Sequence, residues 1–366
     1  MLKRIWNKGW YIVNTMLGQL QLLFERKGIT GEVKATTYRK IENSVHINHP
    51  YPINYNPVNE KLFEHYTNYQ SQNEEVYELR NVCVSERGIV FKGINNYGDA
   101  FPHTVFRTQY GWLYILKHYL FFKKTKAPQK TLVLLYDFWS AGNYYHWIVD
   151  SLPRLAIVSH ELRLNGYSLL LPKNPPAYIS ASLRYFELSD ITYISKGTYL
   201  ETERLLVPYY LAGSGHIHPP RVKAVKDFFV PLMGTAPGHE RIFVSRSRQK
   251  ARRVHNEHEV IDVVKSLGFK VIYFEDYTFE QQVELAKGVK VMVSSHGANM
   301  TNCMFMPDGS RVLELIREDN PNFCYWALAS VAGLRYHYQL CRVVGNDHLN
   351  VDIAQFRLNL NRLLND

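Results

Sequence analysis

Cysteine is scarce, and its spacing excludes more than its number does. The 366-residue chain holds Cys83, Cys303, Cys324 and Cys341. None forms a C-x-x-C pair, and no His or Cys spacing reads as a zinc site. The four are read as reduced thiols of a cytosolic protein, so no disulfide framework, metal or cofactor is expected. Long apolar runs are lacking too. The N-terminal stretch MLKRIWNKGWYIVNTMLGQLQLLF is broken by Asn14, Gln19 and Gln21. That is too interrupted for a spanning helix of about 20 apolar residues, and no small-residue cleavage site follows. Trp6, Trp10, Val13, Leu17 and Leu20 fall near helical spacing beside Lys3, Arg4 and Lys8. The pattern fits an interfacial helix on anionic lipid or an amphipathic helix packed on its own domain. No sustained repeat and no low-complexity tract is found.

What is present is a hydrophobic fraction of 46% and a formal net charge of +10, with a pI near 9.2. A chain of this length can bury a substantial core and divides naturally into two domains. The basic balance suits polyanions, phosphorylated small molecules or an anionic membrane surface, without choosing among them. Aromatics make up 14%, with 26 tyrosines. Their flat faces and polar tips suit sugar or base stacking as well as core packing.

Residues 30–75 are polar and read as loops with short strands, and 76–93 as two β runs joined by Ser85-Glu86-Arg87-Gly88. From Lys130 the pattern alternates. TLVLLYDF, SLLLP, ITYI and RLLVPYY read as strands, YYHWIVDSLPRLAIVSHEL and PAYISASLRYFELS as helices. This implies a first α/β domain with a mostly parallel sheet. VPLMGTAPGH, at 230–239, reads as a linker. Beyond it RIFVSR, FKVIYFE, VKVMVSSHG and SRVLELI are strands. NEHEVIDVVKSLG and TFEQQVELAKG are helices ended by Gly268 and Gly288. FCYWALASVAG and VDIAQFRLNLNRLL are further helices. The expected architecture is α/β, two Rossmann-like domains facing across a cleft: 1–232 on the acceptor side, 233–345 binding nucleotide, and 346–366 as a C-terminal helix packing back on the N-terminal domain. Ligands should gather beyond the carboxyl ends of the strands.

Four constellations carry chemistry. Arg241, Arg246, Arg248, Lys250, Arg252 and Arg253 follow or open the strand RIFVS with no acid between them. Guanidinium groups at a strand end suit a diphosphate, whereas the same run on an open face would be a solvated or nucleic-acid surface. Ser294-Ser295-His296-Gly297-Ala298-Asn299-Met300-Thr301-Asn302 follows a second strand. Gly297 and Ala298 allow close backbone approach, and N–H groups at a following helix start would bind phosphate. His146 and Asp150 are four apart on one helical face, where a carboxylate-oriented His can act as a general base. Glu275 and Glu314 lie at or near strand ends, where a carboxylate often holds ribose hydroxyls.

The motifs YYHWIVDSLPRL, RIFVSRSRQKARRVHNEHEV and FEDYTFEQQVELAKGVKVMVSSHGANMTNCMFMPDGSRVLELI, in this order, resemble glycosyltransferase family 61, over roughly Val76 to Ile316. The resemblance implies a GT-B fold, an inverting mechanism and a UDP-sugar donor, usually without an essential metal; no DxD motif lies between the domains. Arg246, Arg252 and Arg253 match the family's basic motif. His296, Gly297 and Ala298 match its HGA turn, with Asn302 and Glu314 in register. His146 and Asp150 match its N-terminal motif. Ser295, Asn299, Thr301 and Glu275 complete the expected donor-nucleotide set. Asn299 and Met300 stand where Gly and Leu are common, a departure within the turn. The lack of a recognisable signal anchor points to a bacterial, cytoplasmic capsule or surface-polysaccharide member, peripheral on the inner membrane face. Its partners would be a UDP-sugar and a lipid-linked glycan, not nucleic acid. The alternative is a non-catalytic phosphate- or nucleic-acid-binding protein using Arg241–Arg253, which predicts basic residues spread over a face and interleaved with aromatics.

Overall fold

The structure, a computed structural model of the chain, describes residues 33–98, 110–234, 240–345 and 347–365. The amphipathic segment from Trp6 to Leu20 and the core of the Pro/Gly linker, 235–239, lie outside the described residues. The chain packs as two compact units, and strands are numbered along the whole chain.

The first unit comprises residues up to Asn43, Asn73–Asn143 and Arg154–Ser214. Its sheet runs in spatial order β10 (Ile191–Ile194), β9 (Tyr167–Pro172), β8 (Thr131–Leu134), β11 (Thr198–Pro208), β4 (Glu74–Ser85), β5 (Val90–Lys92), β6 (Asn95–Asn96). β1 (Thr36–Ile41) also pairs with β4, and β7 (Lys123–Lys126) with β11. The pairings among β7 to β11 are parallel, whereas those involving β1, β4, β5 and β6 are antiparallel. The sheet is thus mixed where a mostly parallel one was expected. One of these pairings is local: the 85–88 turn closes the β4–β5 hairpin, and a hairpin can only pair antiparallel. Gly88 sits there at φ +77, and a Cβ would come 2.7 Å from the Tyr136 carbonyl oxygen. Leu132–Leu134 and Leu169–Leu171 are buried throughout, as parallel strands covered on both faces must be. Helices α1 (Trp112–Phe121) and α2 (Ala177–Leu183) belong to this unit.

The second unit comprises Ser44–Gln72, Tyr144–Pro153 and Gly215–Asp366. Its main sheet runs β13 (Lys270–Ile272), β12 (Arg241–Val244), β14 (Val291–Ser295), β15 (Arg311–Arg317), β16 (Arg335–Val344), β17 (His348–Asn350). The first five are parallel and β17 antiparallel. Counted within the unit, the parallel order is 2-1-3-4-5, a doubly wound sheet whose order reverses between β12 and β14. Side-chain alternation gives the sheet two faces. Phe243, Val291, Val293, Leu313 and Leu315 share one core with α4 (Glu257–Ser266) and α7 (Ile353–Asn365). On the other side α3 (Pro219–Leu232), α5 (Phe279–Lys287), α6 (Cys324–Val331) and the 3₁₀ segment Ala298–Phe305 pack on one another.

Three features differ from the sequence-based division at 232/233. α3 joins the second unit through Phe229, whose ring meets Phe279 edge-on at 5.0 Å. Segment 44–72 joins it through Phe63, packed on Phe323 at 4.3 Å and on Trp326 at 5.0 Å. The C-terminal helix, expected to pack back on the N-terminal domain, instead inserts Phe356, Leu360 and Leu363 into the core of its own sheet. These three residues repeat at helical spacing, so one stripe is buried at once. Segment 44–72 otherwise holds a short ribbon, β2 (His46–Asn48) with β3 (Asn68–Gln70), and a 3₁₀ turn, Pro57–Leu62. Gly268, at φ +78, ends α4 as expected, but Gly288 ends α5 in a right-handed conformation with φ −93.

Candidate active site

In an open parallel sheet, ligands bind beyond the carboxyl ends of the strands where the order reverses, because the two flanking loops turn apart there. In the second unit these are the loops after β12 and β14, and they carry the two motifs singled out in the sequence.

The β12 loop is fixed from below by Glu257, in the first turn of α4. Its Oε1 accepts from Ser245 Oγ at 2.8 Å, and it accepts further bonds from Ser247 and the Arg246 backbone. Burial pushes its carboxyl above the usual range, with these hydrogen bonds opposing. Asn256, just before α4, clamps Val351 by paired bonds of 2.9 Å. Arg246 projects from this loop and is 7% exposed. Among the described residues no carboxylate lies within ion-pair distance of it, and its Nε has no hydrogen-bond partner. Burial, and then the like charge of Arg252, lower its pKa from the ordinary guanidinium value. The guanidinium lies directly over Gly297: a Cβ there would overlap it. Gly297 is therefore required for space, its backbone being extended at φ 161. A buried cation is costly unless something anionic completes it.

Past Gly297 the chain enters the 3₁₀ segment Ala298–Phe305, whose first N–H groups have no partner within the helix. His296 precedes it, and its Nδ1 meets Glu314 Oε1 at 2.5 Å. Glu314 is fully buried and also accepts from Tyr336 at 2.5 Å. Each of its oxygens is engaged within the protein, so Glu314 is placed to orient His296. Ser295 Oγ donates to the Arg252 carbonyl at 3.4 Å, joining the two loops. Arg252 is left-handed at φ +56, a conformation costly for a residue with a Cβ. Arg253 is exposed and spends its guanidinium on His348 and the Ser247 carbonyl. Glu275 is exposed and accepts from Gln249. Thr301 and Asn302 are fully buried within the turn.

The third motif arrives from a remote part of the chain. His146–Ser151 forms a π-helical turn continued by the α-helical Leu152–Ile157. Pro153 has no N–H to give residue 149 and would crowd its carbonyl, and the widened turn relieves that clash. His146 Nδ1 bonds Asp150 Oδ2 at 2.7 Å, both side chains about one-fifth exposed at 18% and 19%. Tyr144 donates to Asn302 Oδ1 at 2.8 Å, while Asn302 Nδ2 donates to Gln282 at 2.9 Å. Asn302 therefore ties the π turn, the β14 loop and α5 together. Tyr145 meets Tyr325 edge-on at 5.4 Å, and Tyr325 meets His296 at 5.0 Å. Burial holds both phenols well above their usual pKa, so they act as neutral spacers between the two His–carboxylate pairs.

The structure thus brings His146, Asp150, Arg246, Arg252, Ser295, His296, Gly297, Ala298, Asn299, Thr301, Asn302 and Glu314 together in one unit. Glu275 and Arg253 stand at its exposed margin. Sequence reasoning missed Glu257, Tyr325 and Tyr336, and named Tyr144 only as the start of the third motif. Only Glu257 left a signal, an acid in the first turn of a helix beside an arginine-rich loop.

Residues 144–313 match the family model Glycosyltransferase 61. The EGF domain-specific O-linked N-acetylglucosamine transferase of Drosophila melanogaster is 30% identical over 97 residues, 26% of this chain and 18% of that protein. The mouse (Mus musculus) protein of the same name is 24% identical over 108 residues, 28% of this chain and 20% of that protein. Alpha-1,3-arabinosyltransferase XAT2 of Oryza sativa subsp. japonica is 28% identical over 91 residues, 24% of this chain and 16% of that protein. The matched segment is of the glycosyltransferase class. The family match and these relatives support glycosyltransferase family 61. The chain spans about a fifth or less of the length of these curated relatives.

Proposed function

We propose that this protein transfers a sugar from a UDP-sugar to a hydroxyl of a growing glycan, with inversion at the anomeric carbon. The observation that carries the reading is Arg246, a buried guanidinium with no carboxylate partner among the described residues, laid over Gly297 at the switch point of the sheet. The donor diphosphate would complete it, bridging Arg246 and Arg252 and meeting the N–H groups at the start of Ala298–Phe305. In the reaction the acceptor oxygen attacks the anomeric carbon in line and its proton passes to the His146–Asp150 pair. The bond from that carbon to the diphosphate oxygen breaks, and UDP leaves with the electron pair. Arg246 and Arg252 stabilise the charge that develops on the leaving group, the role that a divalent ion fills in metal-dependent transferases. Nδ1 of His146 is committed to Asp150, so Nε2 is the nitrogen assigned to take the proton.

A GT-B architecture, with the second unit as donor domain, belongs to this proposal; two α/β units, one of them a doubly wound sheet, support it. The lipid-linked acceptor, the bacterial surface-polysaccharide setting and a peripheral place on the inner membrane face also belong to it. The relatives named above are animal and plant enzymes. Among the described residues no helix is long and apolar enough to cross a membrane. Pelleting with anionic vesicles by the full chain, but not by a variant lacking the first 25 residues, would support the membrane contact. Equal pelleting would remove it.

The donor reading is tested by a thermal-shift screen of nucleoside diphosphates with and without EDTA. A ligand that binds only the native state stabilises it by about 2.7 kcal/mol at a hundredfold excess over Kd. UDP should raise the melting temperature more than ADP, GDP or CDP, and EDTA should not matter. No response to any nucleotide would remove the donor site and favour a non-catalytic polyanion-binding role.

A further inference from the structure

Beyond the carboxyl ends of β15 and β16, with His296 in its wall, lies a cavity of about 180 Å³. It is smaller than the roughly 300–1,000 Å³ of pockets for drug-sized ligands, and so holds one small ring. Its floor is apolar, made by the buried side chains of Ile316 and Leu349. Its upper wall carries Asn320, Asn322 and Asp347. Asn322 uses Oδ1 to accept from Tyr66 at 3.1 Å and from the Cys324 N–H at 3.0 Å, which fixes the plane of its amide. Arg317 is chelated by Asp319 at 2.6 and 2.7 Å and lies 3.6 Å from Asp347, so its charge is met within the wall. Arg252 is the lining cation with no carboxylate partner among the described residues. Arg252 and Asp347 both hold left-handed backbone, at φ +56 and +61, so two rim side chains are kept in costly conformations on one cavity.

An apolar floor beneath two amides, that of Asn322 fixed, and one carboxylate matches a sugar ring, which presents C–H groups on one face and hydroxyls around its edge. We propose that this cavity takes the donor's sugar as a single neutral monosaccharide, with its hydroxyls on Asn320, Asn322 and Asp347. The diphosphate sits at the mouth on Arg252 and Arg246. The sugar is neutral because Arg252 is taken by phosphate, while Arg317 against Asp319 and Asp347 leaves one net negative charge to repel a sugar carboxylate. This rests on the donor-site reading above.

The test is calorimetric binding of UDP, UDP-glucose, UDP-xylose, UDP-N-acetylglucosamine and UDP-glucuronate to the full chain and to Asn320→Ala and Asp347→Ala. Both positions are exposed, so the variants should fold. UDP should bind all three proteins within about twofold. The best neutral UDP-sugar should weaken about fivefold in each variant, the worth of one lost hydrogen bond, and UDP-glucuronate should trail it in the wild type. UDP-sugar affinities unmoved by both variants, with UDP still bound, would overturn the cavity assignment. UDP-glucuronate as the tightest ligand would overturn its neutrality. Failure of UDP itself to bind the wild type would instead overturn the donor reading on which the proposal rests.

Discussion

Replacing Arg246 by methionine should make the unliganded protein more stable and the donor site inactive. Methionine keeps most of the side chain's length and removes its charge. In the native state Arg246 is buried, 7% exposed, with no carboxylate partner among the described residues. Its lowered pKa means that the folded state disfavours the charged form. A base with a folded pKa below its unfolded value costs stability wherever it is protonated, and relief comes only as pH rises between the two values. For arginine that window lies far above working pH, so the cost is constant over any practical range. Swapping buried ionic groups for apolar ones of similar volume stabilises proteins by roughly 1–4 kcal/mol. Nearby Glu275 offsets part of the cost here, so about 1–2 kcal/mol is expected, or roughly 2–8 °C in melting temperature for a unit of this size. The same change removes charge-assisted bonds worth about 1.5–3 kcal/mol each, so UDP should bind roughly 100-fold more weakly or worse. Thermal denaturation and calorimetric titration of the one variant give both numbers. A melting temperature several degrees lower would show that Arg246 is a structural residue with a partner. Unchanged UDP affinity would show that the anion it awaits is not a diphosphate.

Gly297→Ala places a methyl group in the space of the Arg246 guanidinium and should weaken UDP at least tenfold, about 1.4 kcal/mol, with melting temperature within a few degrees of wild type; equal affinity would sink the stacking argument. His146→Asn should lower kcat by about 10²–10⁴ with the UDP Kd unchanged, and a parallel loss of UDP affinity would move His146 from the base to the donor site. Glu314→Gln leaves His296 with a weaker acceptor in a fully buried site and should cost about 1–3 kcal/mol in chemical denaturation, a loss absent from Glu275→Gln at the exposed margin. His49 is buried against Tyr69 and Ser330, and burial first, then His216, lowers its pKa to about 4. A base with a depressed folded pKa contributes stability above its unfolded value, near 6.5, that is lost as pH falls toward 4. Stability should therefore fall across that window by about 3 kcal/mol, and His49→Gln should flatten the profile measured by urea denaturation at stepped pH.

The second unit was legible where strands are short, apolar and closed by motif loops. VKVMV and RVLEL announce themselves by composition, and the switch point then follows from their order. β16 was not, because RYHYQLCRVV mixes aromatic, charged and polar residues that show no clean period. Its Tyr336 nevertheless completes the Glu314 site from the neighbouring strand. The division of the chain failed for another reason. Phe63 and Tyr144 belong to the second unit through contacts with residues more than 150 positions away, and no local pattern encodes a partner at that distance. Glu314 was read as a ribose ligand because a strand-end carboxylate suits that role. Alternation places Leu313 and Leu315 in one core and sends Glu314 to the opposite face, under His296 and Tyr336, where each of its oxygens is engaged within the protein.

Burial also separates the two His–carboxylate pairs by task. A general base must return its proton to water in each catalytic cycle, so it needs a path to solvent. His146 and Asp150 are each about one-fifth exposed on a widened turn, which allows that exchange. Glu314 is fully buried with both oxygens engaged, so it cannot relay a proton to solvent without breaking two bonds in a site that water does not reach. A carboxylate so confined fixes a ring in place, and His296 stands beside Gly297 and Arg246, where the leaving group is proposed to lie. The two imidazoles are similarly exposed, at 18% and 14%, so it is the pair with the exposed carboxylate that suits the acceptor's proton and the pair with the buried one that suits holding the donor. The tie from Tyr144 to Asn302 sets the distance between them, so Tyr144→Phe should lower kcat more than it changes UDP affinity.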